Sequence, residues 1–155
     1  DPQDQEARAG MMLAACQGGM AFANASVCLV HGMSRPIGAV YHVPHGLSNA
    51  VLLPTVTQYS LNAAQTRYAE IARRLGCCHP LADDVEACES LVPGLERLNL
   101  ELAIPRLGEC LGVSREAFEL SLPKMADDAL ASGSPQNNPR LPTADEIIEL
   151  YRSAY

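Results

Sequence analysis

Lysine occurs once in this chain, at Lys124, beside ten arginines, and the formal charge is −7. That balance leaves no electrostatic footprint for nucleic acid or an anionic lipid surface. No apolar run approaches the roughly 20 residues of a membrane span. The opening DPQDQEARAG lacks the basic stretch and apolar stretch of a secretion signal, so a cytoplasmic location is expected. No strand of convincing alternation is found, and no internal repeat. With no strand–glycine loop–helix unit, the chain carries no nucleotide-binding fingerprint of its own. The six cysteines (Cys16, Cys28, Cys77, Cys78, Cys88 and Cys110) match no zinc-ribbon spacing. Without a signal peptide they read as small apolar side chains in a reducing compartment. Cys77-Cys78-His79 could ligate metal, but adjacent cysteines chelate one ion poorly, and the preceding Gly76 favours a turn.

What is present is helix. At 155 residues, with 48% hydrophobic and 19% charged, the chain suits one globular domain, 1–155. Asp1-Pro2 reads as a helix start, and EARAGMMLAACQGGMAFANAS is small or apolar on most faces, which suggests a buried helix. The next helix carries His31 and is expected to end where Pro36 disfavours helical backbone at Arg35. LSNAVLLPTVTQYSL follows the Pro44-His45-Gly46 break, with a kink expected at Pro54. TRYAEIARRLG ends in arginines and glycine, a marked C-terminus. Asp83 with Glu86 has capping-box spacing ahead of a helix that Pro93 should kink or split, and REAFELSLPKMADDALASG gives one or two short helices. Thr143 with Glu146 has capping-box spacing at the start of the last helix. The fold class is all-α.

Three of the four histidines fall within HGMSRPIGAVYHVPHG, residues 31–46. A helix followed by a sharp turn can bring imidazoles from separate backbone segments together, as a metal site requires. His31 and His45 are the candidate pair, fourteen residues apart. Spacing alone equally allows His31 as a hydrogen-bonded core residue and His45 as a helix cap. His42, ahead of Val43-Pro44, reads as a pocket wall or a surface residue.

The pattern NAS-x-x-L-x-HGM-x-x-PIGA-x-Y-x-x-PHG-x-x-NA-x-LLP resembles the C-terminal helical domain of the iron-containing (group III) alcohol dehydrogenases. The resemblance runs from about Glu6 to the last helix, and implies the multi-helix bundle of the dehydroquinate synthase-like fold. It also implies a divalent iron or zinc held between two domains, with His31 and His45 as the two ligands from the helical side. The family's N-terminal α/β domain binds NAD(P) and supplies an aspartate and a histidine. The chain starts where that helical domain starts, so the α/β partner, in cis or in trans, is expected to be missing. With it go two ligands and the nicotinamide site, and the chain alone is expected to be inactive. A split-enzyme subunit and a non-catalytic helical interaction module descended from such an enzyme are the alternatives.

One local departure bears on substrate. Where the family often has a histidine four residues after the first ligand, this chain has Arg35. A guanidinium on the His31 face suits the carboxylate of a hydroxy acid or oxo acid over a simple alcohol or aldehyde. Pairing with an acidic side chain or with cofactor phosphate is the competing role. The resemblance also places Phe22 and Leu130 at substrate-pocket positions, although an apolar side chain at either suits a core equally well. Exposed apolar surface on such a domain makes a homo-oligomer a further expectation.

Overall fold

A computed structural model describes residues 2–155, and every regular element among them is helical. The order is α1 (Gln5–Ala25), α2 (Leu29–Tyr41), α3 (His45–Ser60), α4 (Gln65–Arg74), α5 (Asp84–Glu101), α6 (Leu107–Leu111), α7 (Arg115–Ala131) and α8 (Ala144–Ala154), with single 3₁₀ turns at Leu61–Ala63 and Ser134–Asn137. The all-α expectation holds. No single helix among the described residues is long and apolar enough to cross a membrane.

Two apolar clusters carry the packing. The larger joins α2, α3, α6, α7 and α8 around Leu29, Met33, Ile37, Leu52, Phe118, Met125, Ile147 and Tyr151. The smaller joins α4 and α5 through Ala69, Ala72, Ala87 and Leu91. Polar locks reinforce both. Tyr151 Oη donates to the Met33 carbonyl at 2.6 Å inside the core, where burial pushes its phenol far above the ordinary range and keeps it a neutral donor. Arg73 pairs with Asp84, tying the end of α4 to the start of α5.

The caps follow the sequence where side chains supply them. Thr143 and Glu146 form the full reciprocal box, with the Glu146 amide donating to Thr143 Oγ1 and the Thr143 amide to Glu146 Oε2. Asp83 accepts from the Val85 and Glu86 amides without a reciprocal bond from the Glu86 side chain. Gly76, at φ +71°, terminates α4 as expected. The cap expected at Asp1 lies outside the described residues. Pro2 sits in a turn, and α1 starts instead at Gln5, where Asp4 Oδ1 accepts from the Ala7 amide at 2.9 Å.

Prolines misled more. Helix α2 continues through Pro36 to Tyr41, α5 runs unbroken through Pro93, and α7 is one helix through Pro123. A proline costs one hydrogen bond and crowds the carbonyl four residues back. In α2 that cost is set against a buried face of Leu29, Val30, Met33, Pro36 and Ile37, and tertiary packing decides. Helix α3 likewise stays helical through a buried Pro54.

The largest correction concerns α1. Its all-round apolarity predicted a buried helix, yet none of its residues is buried. Met11, Met12, Leu13, Met20 and Phe22 are all exposed. The cause is geometric: the chain turns at Ser26, φ +65°, and α2 leaves at 109° to α1, so no other helix among the described residues covers it. The cysteines also vary. All six are free, Cys88 is buried, Cys16 on α1 is exposed, and the other four are half-buried.

Two outcomes are expected of this packing. Tyr151→Phe removes the buried bond to the Met33 carbonyl and should lower unfolding stability by about 0.5–1.5 kcal/mol in urea titration. Circular dichroism should show the same helical signal with and without a chelator, because both clusters close without metal; loss of most of the signal would mark a structural metal domain instead.

Candidate metal centre

Helix α2 exposes one side where it enters the core. His31 is its third residue and half-buried, while Gly32, Met33 and Ser34 immediately after it are buried. Arg35, one turn on from His31, is exposed. The helix ends when His42 takes left-handed backbone at φ +58°, its amide donating to the Gly38 carbonyl. The chain then doubles back through Val43 and Pro44, so α3 packs along α2 and its first residue, His45, faces His31. The two ring centroids lie 5.2 Å apart at 57°.

These rings border an open cleft of about 610 Å³. Its other walls are Arg35 and the end of α1 with the following turn: Phe22, Ala23, Ser26 and Val27. Of the residues singled out in the sequence, His31, His45, Arg35 and Phe22 therefore meet. His42 and Leu130 do not join them. His42 is an exposed helix terminator, and Leu130 packs half-buried on the main core cluster.

Two further side chains belong to the site and were not foreseen. Ser34, fully buried, has Oγ 3.2 Å from His45 Nδ1, and Asn49 Nδ2 lies 3.0 Å from His45 Nε2. Helical spacing was the available signal, since Ser34 is three residues after His31 and Asn49 four after His45. Asn49 Oδ1 is buried and has no hydrogen-bond partner.

The electrostatics favour uncharged imidazole. Burial lowers the pKa of His31 below the usual histidine value, and the neighbouring His45 and Arg35 push it the same way. Neutral imidazole is the form that ligates metal. Arg35 forms no ion pair with any carboxylate among the described residues. The residues present fit a divalent ion of intermediate softness as a partial donor set. Their imidazoles come from different elements, Asn49 Nδ2 lies against one ring nitrogen, and Asn49 Oδ1 is buried without a partner. Among the described residues no group of three or more histidine, cysteine or acidic side chains could hold an ion unaided, Cys77-Cys78-His79 included. His79 Nδ1 instead accepts from the Leu81 amide.

Comparison with known proteins sets this geometry in a family. The model of the Fe-containing alcohol dehydrogenase family, C-terminal part, matches residues 1–155. The chain is 37% identical over 150 residues to 1,3-propanediol dehydrogenase of Klebsiella pneumoniae, covering 97% of itself and 38% of that protein. It is 36% identical over 152 residues to lactaldehyde reductase of Escherichia coli K12, covering 98% and 39%. Among solved structures it superposes on 1,3-propanediol oxidoreductase with TM-score 0.90 at 36% identity, over 99% of this chain and 39% of that one. Alcohol dehydrogenase from Oenococcus oeni gives TM-score 0.90 at 32% identity, over 100% and 39%. The chain thus spans about two-fifths of the length of these relatives, and the superpositions place its bundle on their C-terminal domain.

Titration by NMR should find the His31 midpoint below the ordinary 6.5. His45→Ala and Arg35→Ala should each move it upward, because each removes a repelling charge. The sign for stability follows. A depressed folded value means that the unfolded chain takes up the proton first, so His31 lowers stability as the pH falls from about 6.5 through its folded midpoint. An unshifted midpoint in the parent chain would show that His31 is not buried beside these groups in solution.

Proposed function

Since the chain belongs to the Fe-containing alcohol dehydrogenase family, as its C-terminal helical domain, we propose that His31 and His45 are half the ligand set of a divalent iron or zinc in an NAD(P)-dependent dehydrogenase. The observation that carries this reading is the pair of imidazoles from two different helices, 5.2 Å apart on one open cleft. The remaining ligands and the nicotinamide site come from an α/β portion, in cis or in trans. Two protein ligands fall short of the three plus an open position normal for a catalytic ion. The relatives, more than twice as long, leave room for such a portion. The uncovered α1, whose end forms one wall of the cleft, supplies an apolar face for it to pack on.

His31 and His45 would hold the ion from this side, and it would supply Lewis-acid polarisation of an alcohol or carbonyl oxygen. The chain's own residues prepare the cleft. Burial holds His31 toward the neutral form that ligates metal. Phe22 and Val27 line the cleft with apolar surface. Arg35, without an internal carboxylate partner, binds the acid group of a hydroxy acid or oxo acid through its two-pronged guanidinium. The six free cysteines fit a reducing, cytoplasmic setting.

A second reading draws on α1. Its exposed methionines equally suit a helical module that binds another protein, or a second copy of itself, without catalysis. Metal dependence separates the two.

The chain alone should show no NAD(P)-linked alcohol oxidation even with added iron or zinc, because no nicotinamide is held near the cleft. Joined to the α/β portion of a relative, it should turn over. His31→Ala or His45→Ala should then abolish activity, and Arg35→Ala should reduce kcat/KM for hydroxy acids by at least tenfold more than for neutral alcohols. Joined protein that folds but never turns over would favour the interaction module. Equal losses on both substrate classes would remove the carboxylate role of Arg35 alone.

A further inference from the structure

Both nitrogens of His45 are engaged, and the surrounding bonds decide which one carries the proton. Ser34 Oγ lies 3.2 Å from the His31 carbonyl, a group that can only accept. Directed to that carbonyl, the single hydroxyl proton of Ser34 leaves only a lone pair toward His45 Nδ1, also at 3.2 Å, and Nδ1 is then the protonated nitrogen. That leaves Nε2 unprotonated, and Asn49 Nδ2 donates to it at 3.0 Å. The assignment is consistent at every atom: hydroxyl to carbonyl, Nδ1–H to hydroxyl, amide N–H to Nε2. The one discord is Asn49 Oδ1, buried and unpartnered, an arrangement that costs free energy and gives the Asn49 side chain reason to turn away.

We propose that Ser34 is the positioning residue that fixes His45 as its Nδ1–H tautomer, presenting the Nε2 lone pair for ligation, while Asn49 occupies that lone pair until an ion displaces it. The role of the lone pair rests on the metal reading given above; the tautomer itself does not. A free imidazole side chain in water prefers the opposite tautomer, with the proton on Nε2, and in that form the ring would present an N–H where a ligand is needed. Ser34 is suited to the task because it is fully buried and anchored to the backbone of the other histidine. One hydroxyl thereby ties the orientation of His45 to the position of His31. Partners of this kind orient the ring and raise its basicity, and losing one typically costs about 10–100-fold in metal affinity.

Nitrogen-15 NMR of the imidazole side chains in the full chain, at a pH where His45 is neutral, tests this directly. The parent should show Nδ1 at a protonated-type shift and Nε2 at a lone-pair-type shift. Ser34→Ala, which fits the same space, should move the balance toward Nε2–H, whereas Asn49→Ala should leave it unchanged. Titration with Zn²⁺ alone should perturb His31 and His45 together, with affinity about 10–100-fold lower in Ser34→Ala and higher than the parent in Asn49→Ala. An Nε2–H tautomer in the parent, or no change in folded Ser34→Ala, overturns the assignment to Ser34. Zn²⁺ that leaves both rings unperturbed while the Nδ1–H tautomer stands overturns the metal reading and the displacement role of Asn49, but not the tautomer control.

Discussion

The absence of a side chain at Gly32 is the constraint on which the site depends. A Cβ there would lie 2.9 Å from Pro135 Cγ and 3.4 Å from the Ala129 carbonyl. Only glycine lets α2 settle against the end of α7 and the turn that follows it. Gly32 adjoins His31, so this approach sets how far the imidazole rises above the core. One residue further, the Met33 carbonyl receives the Tyr151 hydroxyl from α8. Three consecutive positions thus read outward as ligand candidate, contact and anchor, and the precision of the site is that of the core beneath it.

Charge is distributed unusually for so acidic a chain. Its net charge is −7, yet the cleft is lined by two imidazoles, one guanidinium and apolar groups, with no carboxylate. A divalent ion held by neutral nitrogens keeps its full charge and gains from an anionic ligand. No carboxylate among the described residues lines the cleft to provide one. The same absence leaves Arg35 available to an incoming anion.

The helical class, the marked end of α4, the Thr143–Glu146 box and the meeting of His31 with His45 were legible because each is written in local chemistry: caps, a glycine with left-handed backbone, and a Pro-His-Gly turn. What failed was tertiary. Pro36 looked like a helix end, and Pro93 like a kink or split, because a local rule counts the lost hydrogen bond and not the buried face. Helix α1 looked like core because composition tells that a surface wants covering, not what covers it. Ser34 and Asn49 escaped because hydrogen-bond partners of a ring are chosen by rotamer and register. Both do lie one helical turn from a histidine, which makes such positions worth inspecting around any candidate ligand. His42 and Leu130 fell outside the cleft lining for the same reason, since a loop's direction and a helix's rotation decide what a nearby residue faces.

The orientation of α1 has a mechanical side. At 21 residues it is an arm about 30 Å long, joined to the bundle through a turn at Ser26 and unsupported along its length by the rest of the chain. Two sides of the cleft, those of His31 and His45, are fixed to the core; the third, carrying Phe22, is fixed to the arm. A tilt of only a few degrees at the far end of α1 would be felt at Phe22 as a change in the width of the mouth, with both imidazoles left where they are. The spacing of the two imidazoles and the width of the cleft mouth are therefore separable in this fold: one is set by the bundle, the other by whatever holds the lever.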